Sequence, residues 1–193
     1  MKLLLTGHNG YLCGAIKKKI THDYVTTENI LNRTVYPSVN MILHFAGPSD
    51  DYDFKNEANV ISSIIDGTKN MIEIAKDNNA WFVFASTLGV LQPNNLYTCC
   101  KFVVEKYIEC HYYRSMILRI PRVYSRCRKK GLMKKLRRNE VPEKDMNHVV
   151  EYLHLGDFVD QTIPIIDNPV PGIVSYNNLK TDTIQGIKQK FIL

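Results

Sequence analysis

Tyr97-Thr98-Cys99-Cys100-Lys101 sets a phenol and an ammonium four residues apart, so on a helix they share one face, one turn apart. A phenol titrates near pH ~10 and is a poor acid–base group at neutral pH unless a neighbouring cation stabilises its phenolate. A fixed lysine supplies that cation and can also hydrogen-bond the ribose of a cofactor. Just upstream, Phe82-Val83-Phe84-Ala85-Ser86-Thr87 reads as a strand ending in two hydroxyls, at the carboxyl edge where open α/β sheets place their sites. Thr87 is the stronger candidate to bind a reacting oxygen, and Ser86 is expected to cap the strand end. A surface helix also carries a Tyr-x-x-x-Lys pair by chance; the strand before it gives the pair its chemical context.

A second set of residues suits an anion. Thr6-Gly7-His8-Asn9-Gly10-Tyr11-Leu12-Cys13-Gly14 lies between the first apolar run and the first helical pattern. Gly7 lets the chain turn sharply off a strand, and Gly10 lets backbone approach a pyrophosphate at a helix N-terminus. The third glycine of a dinucleotide-binding turn is replaced by Cys13, with Gly14 one residue late. Cysteine is small enough to keep helix and sheet close. Such a turn also wants an acid about twenty residues onward for the adenosine ribose. Glu28 is the candidate, and a plain surface glutamate fits the same spacing, so NAD and NADP stay open.

The net charge of +6 is unevenly spread, with nine more lysines and arginines between Arg114 and Arg138. A concentration like this attracts nucleic acid or a phosphorylated metabolite, and a solvated helix face is the plain alternative. No aromatic residue interleaves the stretch from Arg126 to Arg138. It therefore lacks the stacking platform of a single-strand binder, and nucleic acid is not the expected partner.

Elements that alternate short β-rich runs with helical patterns predict a βαβ protein with a parallel sheet. Strands are predicted over Lys2–Thr6, 24–26, 40–46, 81–85, Ser115–Ile120, 152–155 and 173–176. Helices are predicted over 11–20, 57–76, 97–113, 129–138, from Asp157, and over 182–190. A chain of 193 residues is room for one domain, expected to span 1–193, with a core that needs no staple. A 45% hydrophobic and 23% charged composition excludes disordered and fibrous classes. The five cysteines (Cys13, Cys99, Cys100, Cys110 and Cys127) form no C-x-x-C pair and read as reduced thiols of a cytoplasmic protein. No apolar run approaches the ~18 residues of a membrane span, so no membrane is expected.

Taken together, these motifs resemble the extended branch of the short-chain dehydrogenase/reductase superfamily, the NAD-dependent epimerase/dehydratase family. The resemblance covers nearly the whole chain. It rests on Thr6-Gly7-x-x-Gly10-Tyr11-Leu12, His44-Phe45-Ala46-Gly47, Gly67-Thr68-Lys69-Asn70, Ala85-Ser86-Thr87, Tyr97-x-x-x-Lys101 with Glu105, Ile117-Leu118-Arg119-Ile120-Pro121-Arg122-Val123-Tyr124 and Tyr152-Leu153-His154-Leu155-Gly156-Asp157. It looks most similar to the dTDP-4-dehydrorhamnose reductase group. The resemblance implies a Rossmann-type doubly wound α/β sheet with a reduced C-terminal substrate region. It also implies NAD or NADP as cofactor, a nucleotide-sugar substrate, and a homodimer formed through the helices at 57–76 and 97–113. By the same resemblance, Tyr97 is the acid–base residue, Lys101 its partner and ribose ligand, and Thr87 the carbonyl hydrogen-bond donor. Gly7, Gly10, Tyr11 and Leu12 would meet the pyrophosphate, Phe45, Ala46 and Gly47 would line the cofactor's path, and His44 is expected to be a packed strand residue. Guanidinium pairs bidentately with phosphate oxygens, which makes Arg122, Arg126 and Arg128 candidates for the substrate's diphosphate.

The chain also departs from the family pattern. Leu88-Gly89 stand where the sugar dehydratases carry an acid pair, which leaves nothing to protonate a leaving hydroxyl. Ile64 and Arg122 replace frequent asparagines, and the segment between Thr87 and Tyr97 is short. Two readings follow: an NAD(P)-dependent reductase or epimerase of nucleotide sugars, or a catalytically silent dinucleotide-binding regulatory or interaction module of the same fold.

Overall fold

The computed structural model describes all 193 residues except 33, 37 and 50–52. Its centre is a six-stranded, all-parallel sheet in the order β2-β1-β3-β4-β5-β8. The strands are β1 (Lys2–Thr6), β2 (Asp23–Thr27), β3 (Met41–His44), β4 (Trp81–Thr87), β5 (Ser115–Ile120) and β8 (Gly172–Ser175). The order reverses between β1 and β3, the switch point where open α/β sheets bind ligands.

Both faces of the central strands are covered, which is why they read as unbroken apolar runs. Leu4, Ile42, Phe82, Phe84 and Ile117 face a layer of three helices: α2 (Glu57–Ile61), α3 (Gly67–Asp77) and α4 (Leu96–His111). Leu3, Leu5, Met41, Leu43, Val83 and Leu118 face α1 (Tyr11–Lys17) and α6 (Leu155–Asp167). Between β2 and β3 the described residues make no helix. Ile30 and Val39 from that connection tuck into the first layer instead.

The helix predicted over 57–76 is broken by a π turn at Ser62–Asp66, between α2 and α3. The turn holds an extra residue, and Ile64 and Thr68 both end buried against the sheet. The predicted 97–113 helix is Leu96–His111, started by a capping box between Asn95 and Thr98.

Two short strands were not expected: β6 (Val123–Tyr124) and β9 (Lys180–Thr183). They flank β7 (Val149–His154) in a small second sheet, β6 parallel and β9 antiparallel to it. Tyr124 and Tyr152 from this sheet pack with α5 (Gly131–Arg137) and α7 (Ile184–Phe191) in a separate small core. No helix among the described residues is long and apolar enough to cross a membrane.

Candidate active site

A cleft of about 630 Å³ runs along the carboxyl ends of β1, β3, β4 and β5. It brings together Gly7, Gly10, Tyr11, Leu12, Phe45, Ala46, Gly47, Thr87, Tyr97, Lys101, Arg122 and Arg128. Five cationic residues line it (Lys101, Arg122, Arg128, Lys129 and Lys130), and none of the described residues lining it is acidic. A low-dielectric cleft of one sign concentrates anions.

Gly7 builds one end. Its φ is +65°, and a Cβ there would lie 2.7 Å from backbone atoms of Phe45 and Ala46, so the turn passes too close to β3 for any side chain. Gly10 starts α1 and supplies no side-chain cap, so Tyr11, Leu12 and Cys13, all on the cleft, carry first-turn N–H groups without a cap. The Tyr11 hydroxyl donates to Ser125 Oγ at 2.7 Å, and the Arg128 guanidinium lies 4.8 Å above the Tyr11 ring. Arg137 on α5 donates to the carbonyls of Arg126 and Arg128, which holds the basic loop over the cleft.

Behind the turn, an ordered chain of hydrogen bonds crosses the core. Thr68 donates its single hydroxyl proton to Ile64 O, so it accepts from His44 Nε2 at 3.1 Å. His44 Nδ1 is then bare and accepts from Thr6 Oγ1 at 2.8 Å, while Thr6 Oγ1 accepts from Ala46 N. Burial, followed by the nearby Lys101 charge, holds the His44 imidazolium pKa down to about 3. His44 is thus a neutral strut between the glycine turn, the cleft wall and the π turn.

Lys101 is almost fully buried, one turn past Tyr97 on α4. Its ammonium donates to Ala85 O at 2.7 Å and sits 4.3 Å from the Phe84 ring centre and 5.8 Å from that of Tyr97. Burial pushes its pKa down to about 7, against the opposing pull of Glu105. The Tyr97 phenol is pushed up to about 12 by burial, with Arg128 pulling the other way. Phe54 stacks on the Tyr97 ring at 4.6 Å.

Ser86 and Thr87 part company at the end of β4. The buried Ser86 hydroxyl is donated to Glu105 Oε1, while Thr87 Oγ1 accepts from Gly89 N and keeps its own proton free to donate. Glu105, fully buried, is held by Arg119 from β5 through Nη2 at 2.7 Å and Nε at 3.1 Å. Both residues fall within the resembling motifs, but no spacing in the sequence signals that they meet.

Two candidates lie off the cleft. Glu28, just past β2, accepts from Asn9 Nδ2 at 2.5 Å and lines a neighbouring cavity that shares Ala46, Gly47 and Pro48 with the cleft. Arg126 is not brought in at all. Arg128 N reaches back to Ser125 O, and the turn this closes leaves Arg126 at its outer corner, facing a different pocket. Cys127 and Lys130 line the cleft without having been singled out; Lys130 pairs with Asp53 at 3.0 Å across its mouth.

No protein-family model and no curated protein matches the sequence. Solved structures do. A dTDP-4-dehydrorhamnose reductase from Bacillus anthracis, in complex with NADP, superposes with a TM-score of 0.76 at 16% identity, covering 97% of this chain and 78% of that one. A UDP-glucose 4-epimerase from Thermus thermophilus, in complex with NAD, superposes with a TM-score of 0.80 at 15% identity, covering 98% and 81%. A dTDP-4-dehydrorhamnose reductase from Clostridium acetobutylicum gives 0.80 at 17%, covering 98% and 78%. Identities this low establish the architecture: over nearly its whole length, the chain has the Rossmann-type fold of these reductases and epimerases.

Proposed function

We propose that the chain binds NAD or NADP in the cleft and reduces a keto group of a nucleotide-linked sugar. The observation that carries this reading is the meeting of Tyr97, Lys101 and Thr87 with the glycine turn in one cationic cleft. Gly7, Gly10, Tyr11 and Leu12 would hold the pyrophosphate, Phe45, Ala46 and Gly47 the adjoining path, Lys101 the near ribose and Glu28 the adenosine ribose. The dinucleotide, when bound, supplies hydride chemistry. The chain's own part is to orient the sugar and move one proton. Thr87 donates a hydrogen bond to the carbonyl oxygen, Tyr97 delivers its phenolic proton there, and Arg122 and Arg128 grip the diphosphate.

A protonated phenol suits the reductive direction. A phenol held near 12 stays protonated at neutral pH and is ready to donate, whereas an epimerase must begin by taking a proton from a hydroxyl. Leu88 and Gly89 after Thr87 supply no acid for a dehydratase.

The second reading, a dinucleotide-binding module without catalysis, is favoured by the Phe54 ring stacked on Tyr97 and by the short segment between Thr87 and Tyr97. One experiment separates the two. NADH and NADPH affinities are measured by fluorescence for the parent, Tyr97→Phe and Lys101→Ala, followed by single-turnover reduction over a panel of nucleotide keto-sugars. Tyr97→Phe is expected to keep its cofactor affinity and lose ~10²–10⁴-fold in rate. Lys101→Ala is expected to lose affinity as well. Binding without turnover in the parent would select the silent module, and unchanged turnover in Tyr97→Phe would remove the catalytic assignment.

A further inference from the structure

Arg126, turned away from the cleft, opens onto a second pocket of about 310 Å³. Arg126 comes from the loop after β6, His154 from the end of β7, Lys180 from β9, and Lys190 and Phe191 from the last turn of α7, with Tyr152 beside them. Among the described residues, this pocket shares no lining residue with the cleft, and none of its lining residues is acidic.

The donors here are incompletely used. Lys190 Nζ gives one proton to Asp182 at 3.0 Å and one to the Tyr152 hydroxyl at 3.2 Å, which leaves one of three. Lys180 lies 3.6 Å from Asp157 and keeps the rest of its ammonium. The Arg126 guanidinium makes no side-chain hydrogen bond or ion pair among the described residues. His154 Nδ1 accepts from Gly156 N at 3.1 Å, so a neutral His154 carries its proton on Nε2 as a further donor. Arg126, Lys180 and Lys190 bring three positive charges from three separate elements. The two neighbouring acids, Asp157 and Asp182, offset two of them. The rings of His154, Phe191 and Tyr152 form one packed aromatic group, with His154 stacked on Phe191 at 6.2 Å and Tyr152 edge-on at 5.7 Å.

We propose that this pocket is a binding site for the phosphate group of a small phosphorylated ligand, distinct from the cofactor cleft. The guanidinium supplies the bidentate contact and the uncompensated charge, the two ammonium groups their remaining N–H donors, and the imidazole Nε2 a further directed donor. The proposal is independent of the oxidoreductase reading, because none of its residues takes part in the proposed proton or cofactor contacts.

The test is titration of the full chain with inorganic pyrophosphate, followed by amide chemical shifts. The expected result is saturable shifts at Arg126, His154, Lys180 and Phe191, with affinity about tenfold weaker in Arg126→Gln and in Lys180→Gln, each having lost a charge-assisted contact. Both side chains reach the surface, and circular dichroism checks that the variants fold. Arg128→Gln, a cleft substitution, is expected to leave these shifts unchanged. Shifts confined to the cleft, equal affinity in all variants, or the same shifts from chloride at matched ionic strength would each overturn the proposal.

Discussion

At the residue scale, the cleft is built from groups whose charge states are set by burial more than by one another. Lys101 titrates near 10.5 in an unfolded chain and at about 7 in the fold. The unfolded state therefore holds more protons between those values, so this group makes stability rise with pH from about 7 to 10.5. The slope contributed is at most ~1.4 kcal/mol per pH unit. Urea unfolding of the parent and of Lys101→Met across pH 7 to 10 checks it: the methionine variant should lack that part of the slope. A second residue-scale expectation concerns the carboxylate behind the site. Glu105 is fully buried and faces Arg119 and Ser86, so Glu105→Gln strands a guanidinium that is only partly exposed. The loss should be about 3 kcal/mol, at the lower end for a broken buried pair because Arg119 still reaches water. Glu105→Met combined with Arg119→Met should cost less than the sum of the single substitutions. Additive single effects in denaturant unfolding would show that the pair is not coupled.

At the element scale, what could be read from the sequence depended on whether the signal was local. β1 and β5 come out with the predicted bounds because strands buried on both faces are continuous apolar runs. The glycine turn and the Tyr97–Lys101 spacing were legible for the same reason, since each is written within a single turn of chain. β9 is Lys-Thr-Asp-Thr and β6 only two residues, so neither carries a pattern of its own; both exist because β7 lies between them. The π turn was hidden because Val60, Ile64, Met71 and Ala75 fit a helical period on both sides of it. Nor did spacing reveal that Arg119 meets Glu105, which follows from how α4 lies on β5, or that a turn swings Arg126 outward. The hydrogen-bond chain through His44 ties three such elements together and gives the fold an acid limit. With a folded pKa of about 3 against 6.5 unfolded, His44 binds its proton more readily when unfolded. Its contribution to stability is complete above pH 6.5 and falls as pH drops toward 3, at up to ~1.4 kcal/mol per unit. His44→Leu should be less stable than the parent at pH 7, because Thr6 and Thr68 lose a partner. The difference should shrink as pH falls, and a gap that stays constant between pH 7 and 4 would show that His44 does not carry this dependence.

At the scale of the whole molecule, one surface is left with more apolar side chain than a helix pair needs. α2 and α4 pack against each other, yet Ile61 on α2 is 43% exposed and Val103 on α4 is 54% exposed, with Phe102 beside it at 39%. Along the helices expected to form a shared interface, Ile61, Val103 and Cys110 lie at the surface, and Ile65 and Tyr107 are half-buried. Ile72 belongs to the core, because α3 resumes after the π turn with that side chain turned toward the sheet. Neighbouring helices that each expose an apolar row can bury both rows at once against a symmetry-related copy, in a self-complementary two-fold contact. We predict a homodimer through α2 and α4. Removing a half-exposed isoleucine and a valine from water on both protomers should contribute on the order of 1 kcal/mol each, so placing a charge in that row should shift the equilibrium strongly. Sedimentation equilibrium of the parent at micromolar concentration should give the mass of two chains, and Val103→Asp should give one, with unchanged circular dichroism. A purely monomeric parent across that range would end the prediction. A dimer untouched by Val103→Asp would place the contact elsewhere on the molecule.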